Sequence, residues 1–192
     1  MKQIILASTS PRRKELLAEE GVVFECIAAD YEEDMTLPLP PPELARHLAL
    51  GKAQSVAKNK ENALVIGADT LISLDGSVFG KPKTKERARE MIRAMNGKSH
   101  SIITGYAVID SDTGKTITKT IETKVFFRKL SEKDIEKYLD VSDALDRAGA
   151  YAIQDHGGKM LIDRFEGDYA NALGLPVNAV IETLKQFEDS GL

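Results

Sequence analysis

The 192-residue chain has no tryptophan and one cysteine, Cys26. A lone cysteine excludes an internal disulfide and any paired-cysteine zinc site. The three histidines, His47, His100 and His156, form no HExxH metal motif. Long apolar runs are missing too. Ile4–Ala7 is too short for the core of a signal peptide, and nothing approaches bilayer-spanning length. There is no cationic excess: 26 Lys and Arg stand against 30 Asp and Glu, for a net charge of −4. That balance argues against a nucleic-acid-binding face. No GxSxG nucleophile elbow is present. Gly97-Lys98-Ser99 mimics the end of a Walker A loop, but Ile92 stands where its first glycine belongs, and a helix precedes it where a strand should. The expectation is a soluble, cytoplasmic protein with no nucleic-acid or membrane partner. Any anion site must be local, built from a few cations on an acidic chain.

What is present is ordinary for a globular domain: 42% hydrophobic and 29% charged residues. The length suits a single domain, residues 1–192, with two lobes. Ile4–Ala7 reads as a buried strand, and Ser10-Pro11 opens a helix to about Glu20 that stops at Gly21. Val22–Ala28 reads as a second strand, and the acidic, proline-rich 30–42 stretch as a loop. Pro42–Lys58 carries Leu44, Ala45, Leu48, Ala49, Ala53, Val56 and Ala57 at helical spacing. Leu64–Ala68 is a buried strand, continued by Leu71–Leu74 towards the Asp75-Gly76 turn. Thr84 caps a helix that ends at Gly97. Two long strands follow, Ser99–Ile109 and Thr116–Phe127. Ser131-Glu132-Lys133-Asp134 starts a helix in the manner of a capping box. Ala148–Gln154 and Met160–Arg164 read as strands or extended segments, and Pro176 opens the last helix. These elements predict an α/β fold with a mixed sheet.

Five places carry chemistry. The first is Ser8-Thr9-Ser10-Pro11-Arg12-Arg13, at a strand-to-helix junction. Two arginines in a first turn oppose the helix dipole. They make sense if an anion sits there, met by N–H groups, the Ser8 and Ser10 hydroxyls and the guanidinium groups. The alternative is a solvated basic face neutralised by Glu15 and Glu19. The second is Lys52, inside the apolar stripe of its helix. Its ammonium must snorkel or meet a fixed anion. The third is Asp69-Thr70, at the end of an apolar strand beside small residues. A carboxylate there suits metal binding or activation of a water, or else it caps a turn. Glu32, Glu33 and Asp34 offer further carboxylates on a loop, and magnesium needs only one or two. The fourth is Gly80-Lys81-Pro82, a phosphate contact or a surface turn. The fifth is Asp146–Gln154, where small residues allow close backbone approach and Gln154 offers an amide donor and acceptor. That pair complements the N3–H and carbonyl of uracil or thymine. The alternative is a tight strand with a surface glutamine.

In this order and spacing the segments resemble the Maf family of nucleotide pyrophosphatases. The match runs through LASTSPRRKELL (Leu6–Leu17), Glu32-Glu33, Lys52-Ala53, IGADT (Ile66–Thr70), GKP (Gly80–Pro82), GKSHSIITG (Gly97–Gly105), DRAGAYAIQ (Asp146–Gln154) and GLP (Gly174–Pro176). The resemblance implies an inosine-triphosphatase-like fold of two lobes with a cleft. It implies hydrolysis between the α and β phosphates of a nucleoside triphosphate, supported by Mg²⁺ or Mn²⁺. It places the general base at Asp69, with Lys52 and Lys81 in the catalytic set, and base selectivity at Arg12, Thr70 and Gln154. Glu33 and Asp69 are the implied metal ligands, and Ser8, Ser10, Arg12 and Arg13 the implied phosphate contacts. The GADT and AGAYxIQ forms resemble the dTTP/UTP branch, not the branch acting on 7-methyl-GTP. Arg147 stands where the family pattern has lysine, which keeps the charge and changes its shape. The family also suggests a homodimer, a house-cleaning role towards non-standard nucleotides, or nucleotide-dependent regulation of septum formation and cell division.

Overall fold

The computed structural model describes residues 2–154 and 156–188. The elements alternate as expected for α/β: β1 (Gln3–Ala7), α1 (Pro11–Glu19), β2 (Glu25–Ile27), α2 (Pro41–Ala57), β3 (Ala63–Leu74), β4 (Ser77–Phe79), α3 (Lys85–Met95), β5 (Ser99–Asp110) and β6 (Thr116–Phe127). Then come α4 (Glu132–Val141), two single 3-10 turns (Ala144–Asp146 and Ala148–Ala150), α5 (His156–Leu161), β7 (Ile162–Glu166), α6 (Tyr169–Ala172) and α7 (Val177–Glu188). Seven strands form one mixed sheet in the order β2-β1-β3-β5-β6-β7, with β4 paired to β3. β1 runs parallel to both β2 and β3, and β7 antiparallel to β6. No helix of the described residues is long and apolar enough to cross a membrane.

The chain forms two compact units. The first comprises Met1–Thr70, Thr104–Ile121 and Ala170–Leu192, the second Leu71–Ile103 and Glu122–Tyr169. In the first unit, strand alternation sorts side chains onto two faces. Leu6, Leu64, Ile66, Ala68, Tyr106 and Val108 pack with Leu16 and Leu17 of α1 and with Val177, Val180 and Leu184 of α7. Ile5, Ala7, Ala63, Val65, Ala107 and Ile109 pack with Ala53, Val56 and Ala57 of α2. Parity therefore puts Gly67 and Asp69 on the α2 face and Ala68 and Thr70 on the α1/α7 face. That division decides what each of them can touch.

In the second unit, α3 buries Ala88, Met91, Ile92 and Met95, the stripe its spacing predicts. His100, Phe127 and Tyr151 meet edge-on, with ring centroids 4.7, 4.9 and 5.4 Å apart. His100 Nε2 and Tyr151 Oη lie 2.5 Å apart, and the ring is 3% exposed. Burial holds the imidazole pKa down, from 6.5 to about 4. The ring thus folds in neutral while the unfolded chain protonates it below about 6.5. Its contribution to stability is complete above that pH and is lost as pH falls towards 4. We expect urea titrations to show an extra slope of about 1.4 kcal/mol per pH unit across that window, amounting to roughly 3 kcal/mol. His100→Phe should remove that slope. An unchanged slope in the variant would assign the acid sensitivity to the carboxylates.

Several readings are corrected. Glu25–Ile27 is a three-residue strand, shorter than the Val22–Ala28 expected. Ala148–Ala150 is a 3-10 turn, not a strand, because Gly149 and Ala150 both adopt positive φ, +64° and +66°. Two successive left-handed residues cannot continue a strand. Met160 and Leu161 finish α5, so the strand begins only at Ile162.

Candidate active site

The parallel pairing of β1 with β3 ends at Leu6↔Ile66, but β3 runs on unbroken through Asp69 and Thr70 to Leu74. Asp69 is therefore a mid-strand carboxylate, not the turn or cap residue that its small neighbours suggest. It is 6% exposed and faces α2. Lys52 of α2 is 8% exposed, and its Nζ lies 2.5 Å from Asp69 Oδ1 and 2.7 Å from Glu33 Oε1. Of the two options open to Lys52, the fixed anion is realised, and the protein supplies it twice. Burial raises the Asp69 pKa above the ordinary carboxylate value, and the Lys52 and Arg13 charges offset this only in part.

The loop that delivers Glu33 is pinned at Tyr31. Its ring lies over Gly51 so closely that a Cβ there would stand 2.2 Å from Cε2. A glycine inside a helix costs about 1 kcal/mol, so its presence signals close approach. The Tyr31–Gly51 contact was not anticipated, although that glycine, one residue before Lys52, is its trace in the sequence. Of the other loop carboxylates, Asp34 accepts from Thr36 N and Oγ1 at 2.8 and 2.6 Å, and Glu32 is exposed.

The β1–α1 junction closes the same concavity. Ser8, Thr9, Ser10, Arg13, Tyr31, Glu33 and Lys52 line a space of about 270 Å³. Ser8 Oγ accepts from Ser10 N at 3.1 Å, and Ser10 Oγ caps α1 from Arg13 N. The two arginines part company. Arg12 is half-exposed and pairs with Glu15 at 3.0 Å, so part of the solvated alternative holds. Arg13 turns inward. Its Nε donates to Gly174 O (2.8 Å), Nη1 to Ala68 O (2.7 Å) and Nη2 to Thr70 Oγ1 (3.2 Å). Thr70 Oγ1 also lies 3.0 Å from Thr104 Oγ1 and donates to Gly174 O at 3.2 Å. Thr104 and Gly174 enter here without having been assigned a role. A larger concavity of about 890 Å³, lined by Ile4, Val22, Phe24 and Ile181 among others, contains none of the motif residues.

Lys81 and Gln154 belong to the second unit. Lys81 is exposed on the segment after β4, and Gln154 is half-buried in a turn, not on the strand expected for it. The backbone leading to Gln154 is held by Gly149 N donating to Gly80 O (3.1 Å) and Tyr138 Oη donating to Ala150 O (2.8 Å). Gly149 adopts φ +64°, a conformation that strains any L side chain, and a Cβ there would also press on Ile72 Cδ1 at 2.8 Å.

Among the described residues, no three or more His, Cys, Asp or Glu side chains gather as a metal cage. The donor set still fits a hard divalent ion. The Glu33 and Asp69 carboxylates converge on one cationic atom, Lys52 Nζ, and such an ion needs only one or two carboxylates when phosphate and water complete its shell.

The family model described as Maf-like protein matches residues 3–187. A dTTP/UTP pyrophosphatase of Bacillus anthracis is 42% identical over 187 residues, covering 97% of this chain and 96% of its own. Those of Bacillus cereus (strain ATCC 10987 / NRS 248) and Bacillus mycoides (strain KBAB4) are both 41% identical, covering 97% and 98% of this chain and 91% and 97% of their own.

Proposed function

The chain belongs to the Maf family, and on that premise we propose that it hydrolyses nucleoside triphosphates, dTTP and UTP foremost, to the monophosphate and pyrophosphate in the cytoplasm. The observation that carries this reading is the buried Lys52 ammonium, shared between the Asp69 and Glu33 carboxylates beside a serine-lined helix N-terminus. A buried carboxylate with a raised pKa, next to a cationic concavity, suits proton abstraction from water at an anionic substrate.

In the mechanism, Ser8, Ser10 and Arg12 meet phosphate oxygens, and Lys52 neutralises charge as it accumulates. Asp69 orients a water and takes its proton as the oxygen attacks the α phosphorus. The bond from that phosphorus to the α–β bridging oxygen breaks, and pyrophosphate leaves. Glu33 and Asp69 would hold Mg²⁺ or Mn²⁺, which supplies charge neutralisation at the phosphate oxygens when bound. Lys81 and Gln154 take their roles from the family resemblance: a phosphate oxygen for Lys81, the pyrimidine edge for Gln154.

A panel of dTTP, UTP, CTP, ITP, 7-methyl-GTP, pseudo-UTP and 5-methyl-UTP, assayed for pyrophosphate release with either metal, tests the reading. We expect dTTP and UTP to exceed 7-methyl-GTP by at least about tenfold in kcat/KM, and Gln154→Ala to erode the preference, because a site built to hydrogen-bond a base discriminates through unpaired polar groups. Preference for 7-methyl-GTP would overturn the roles of Thr70 and Gln154 and leave the chemistry standing.

A further inference from the structure

We propose that Arg13 is a positioning residue and not a phosphate ligand: it clamps the residues on both sides of Asp69, through the Ala68 carbonyl and the Thr70 hydroxyl. The inference rests on Asp69 being the reacting carboxylate, and it reverses the role that the sequence pattern suggests for this arginine. Three observations carry it. The guanidinium is engaged in three directions, through Nε, Nη1 and Nη2, all on protein acceptors at 2.7–3.2 Å. Two of those acceptors, Ala68 O and Thr70 Oγ1, belong to the residues immediately before and after Asp69. The third, Gly174 O, also accepts from Thr70.

The geometry follows from strand parity. The Ala68 and Thr70 side chains point away from α2, while Asp69 between them meets Lys52 of α2. Arg13, reaching from the first turn of α1, completes the grip from the opposite face. A planar fork with five donors suits this task, and a lysine ammonium does not. Gly174 has φ +115°, a backbone state that L side chains rarely adopt, and so presents its carbonyl to both Arg13 and Thr70. Thr104, 3.0 Å from Thr70, closes the cluster.

The test sets charge against shape. Arg13→Lys keeps the cation and loses the fork; Arg13→Gln loses both. A clamp predicts that both variants lose kcat by roughly 10–100-fold, while KM and inhibition by pyrophosphate stay within about twofold. Arg12→Gln should instead raise KM and weaken that inhibition. If Arg13→Lys restores activity and Arg13→Gln chiefly raises KM, the clamp is refuted and the phosphate role returns. Should the variants fail to fold, the unmodified protein decides by NMR of its arginine Nε–H groups. A clamped Arg13 gives a signal slow to exchange with solvent and unmoved by pyrophosphate. A fast-exchanging or shifting Arg13 signal overturns the proposal. The NMR outcome stands even if the protein turns over no nucleotide, so failure of the proposed reaction and failure of the clamp are distinguishable.

Discussion

Asp69→Asn is expected to lower turnover of dTTP by about 10²–10⁴-fold while leaving the protein folded and able to bind nucleotide. Asparagine fills the same volume and keeps an acceptor but cannot take a proton from water. Two effects on stability oppose each other. The folded-state pKa of Asp69 lies above its unfolded value because burial disfavours the charge. A group raised in this way contributes stability at low pH that is lost as pH rises through the folded pKa. At neutral pH its ionisation therefore costs stability, and the asparagine relieves that cost. Against this, Lys52 loses one of two counter-ions, though it keeps Glu33 at 2.7 Å. The melting temperature should stay within about 5 °C of the parent. Activity retained at the parent level would remove Asp69 from the mechanism as base and as metal ligand alike. Activity lost together with the fold would assign it a structural role.

The second large effect concerns two glycines that no chemistry requires. A Cβ on Gly67 would stand 2.3 Å from Ala49 O and 2.7 Å from Ala53 N. On Gly105 it would stand 2.3 Å from Ala45 O and from Arg46 N. In both cases the obstacle is the backbone of α2, which cannot rotate aside as a side chain can. Helix α2 therefore lies directly on β3 and β5 at these points, and the contact sets the depth at which Lys52 meets Asp69. Gly67→Ala and Gly105→Ala should each cost about 3 kcal/mol or more, at the upper end for overpacking, and lower the melting temperature by roughly 6–12 °C. Gly67→Ala should also depress turnover, because it lifts Lys52 from the carboxylate two residues away. Gly80→Ala is the control: a Cβ there meets nothing within 4 Å, so its stability should change by less than about 0.5 kcal/mol. Destabilisation equal in all three would show that the helix contact does not set the cost, since the loss of unfolded-chain entropy on replacing glycine by alanine is itself stabilising.

Much of this arrangement could be read in the residues. The apolar runs of β1 and β3 and the stripe of α2 marked the core of the first unit, and Lys52 within that stripe had either to snorkel or to meet a fixed anion. The Ser10-Pro11 start of α1 and the Thr84 and Ser131 caps appear as their side-chain chemistry predicts. Other features left no local trace. Asp69-Thr70 reads as the end of the Leu64–Ala68 strand, beside small residues that favour a turn. The strand continues beside its sheet partners β5 and β4, and Arg13 and Lys52, 55 and 17 residues distant from their partners there, hold it from either face. Likewise Ala148-Gly149-Ala150 fits a strand by composition. Its left-handed pair is held by distant groups, the Gly80 carbonyl and the Tyr138 hydroxyl, which local propensity does not register. Arg12 and Arg13 are chemically identical and adjacent in the sequence. What separates them is the 100° step around α1, which turns one towards Glu15 and the other towards Gly174.

The most direct test of the proposed reaction is a single turnover of dTTP in ¹⁸O-labelled water, followed by ³¹P NMR. Attack at the α phosphorus predicts thymidine monophosphate carrying one ¹⁸O and unlabelled pyrophosphate. Thymidine diphosphate with labelled inorganic phosphate, or label in the pyrophosphate, would contradict it.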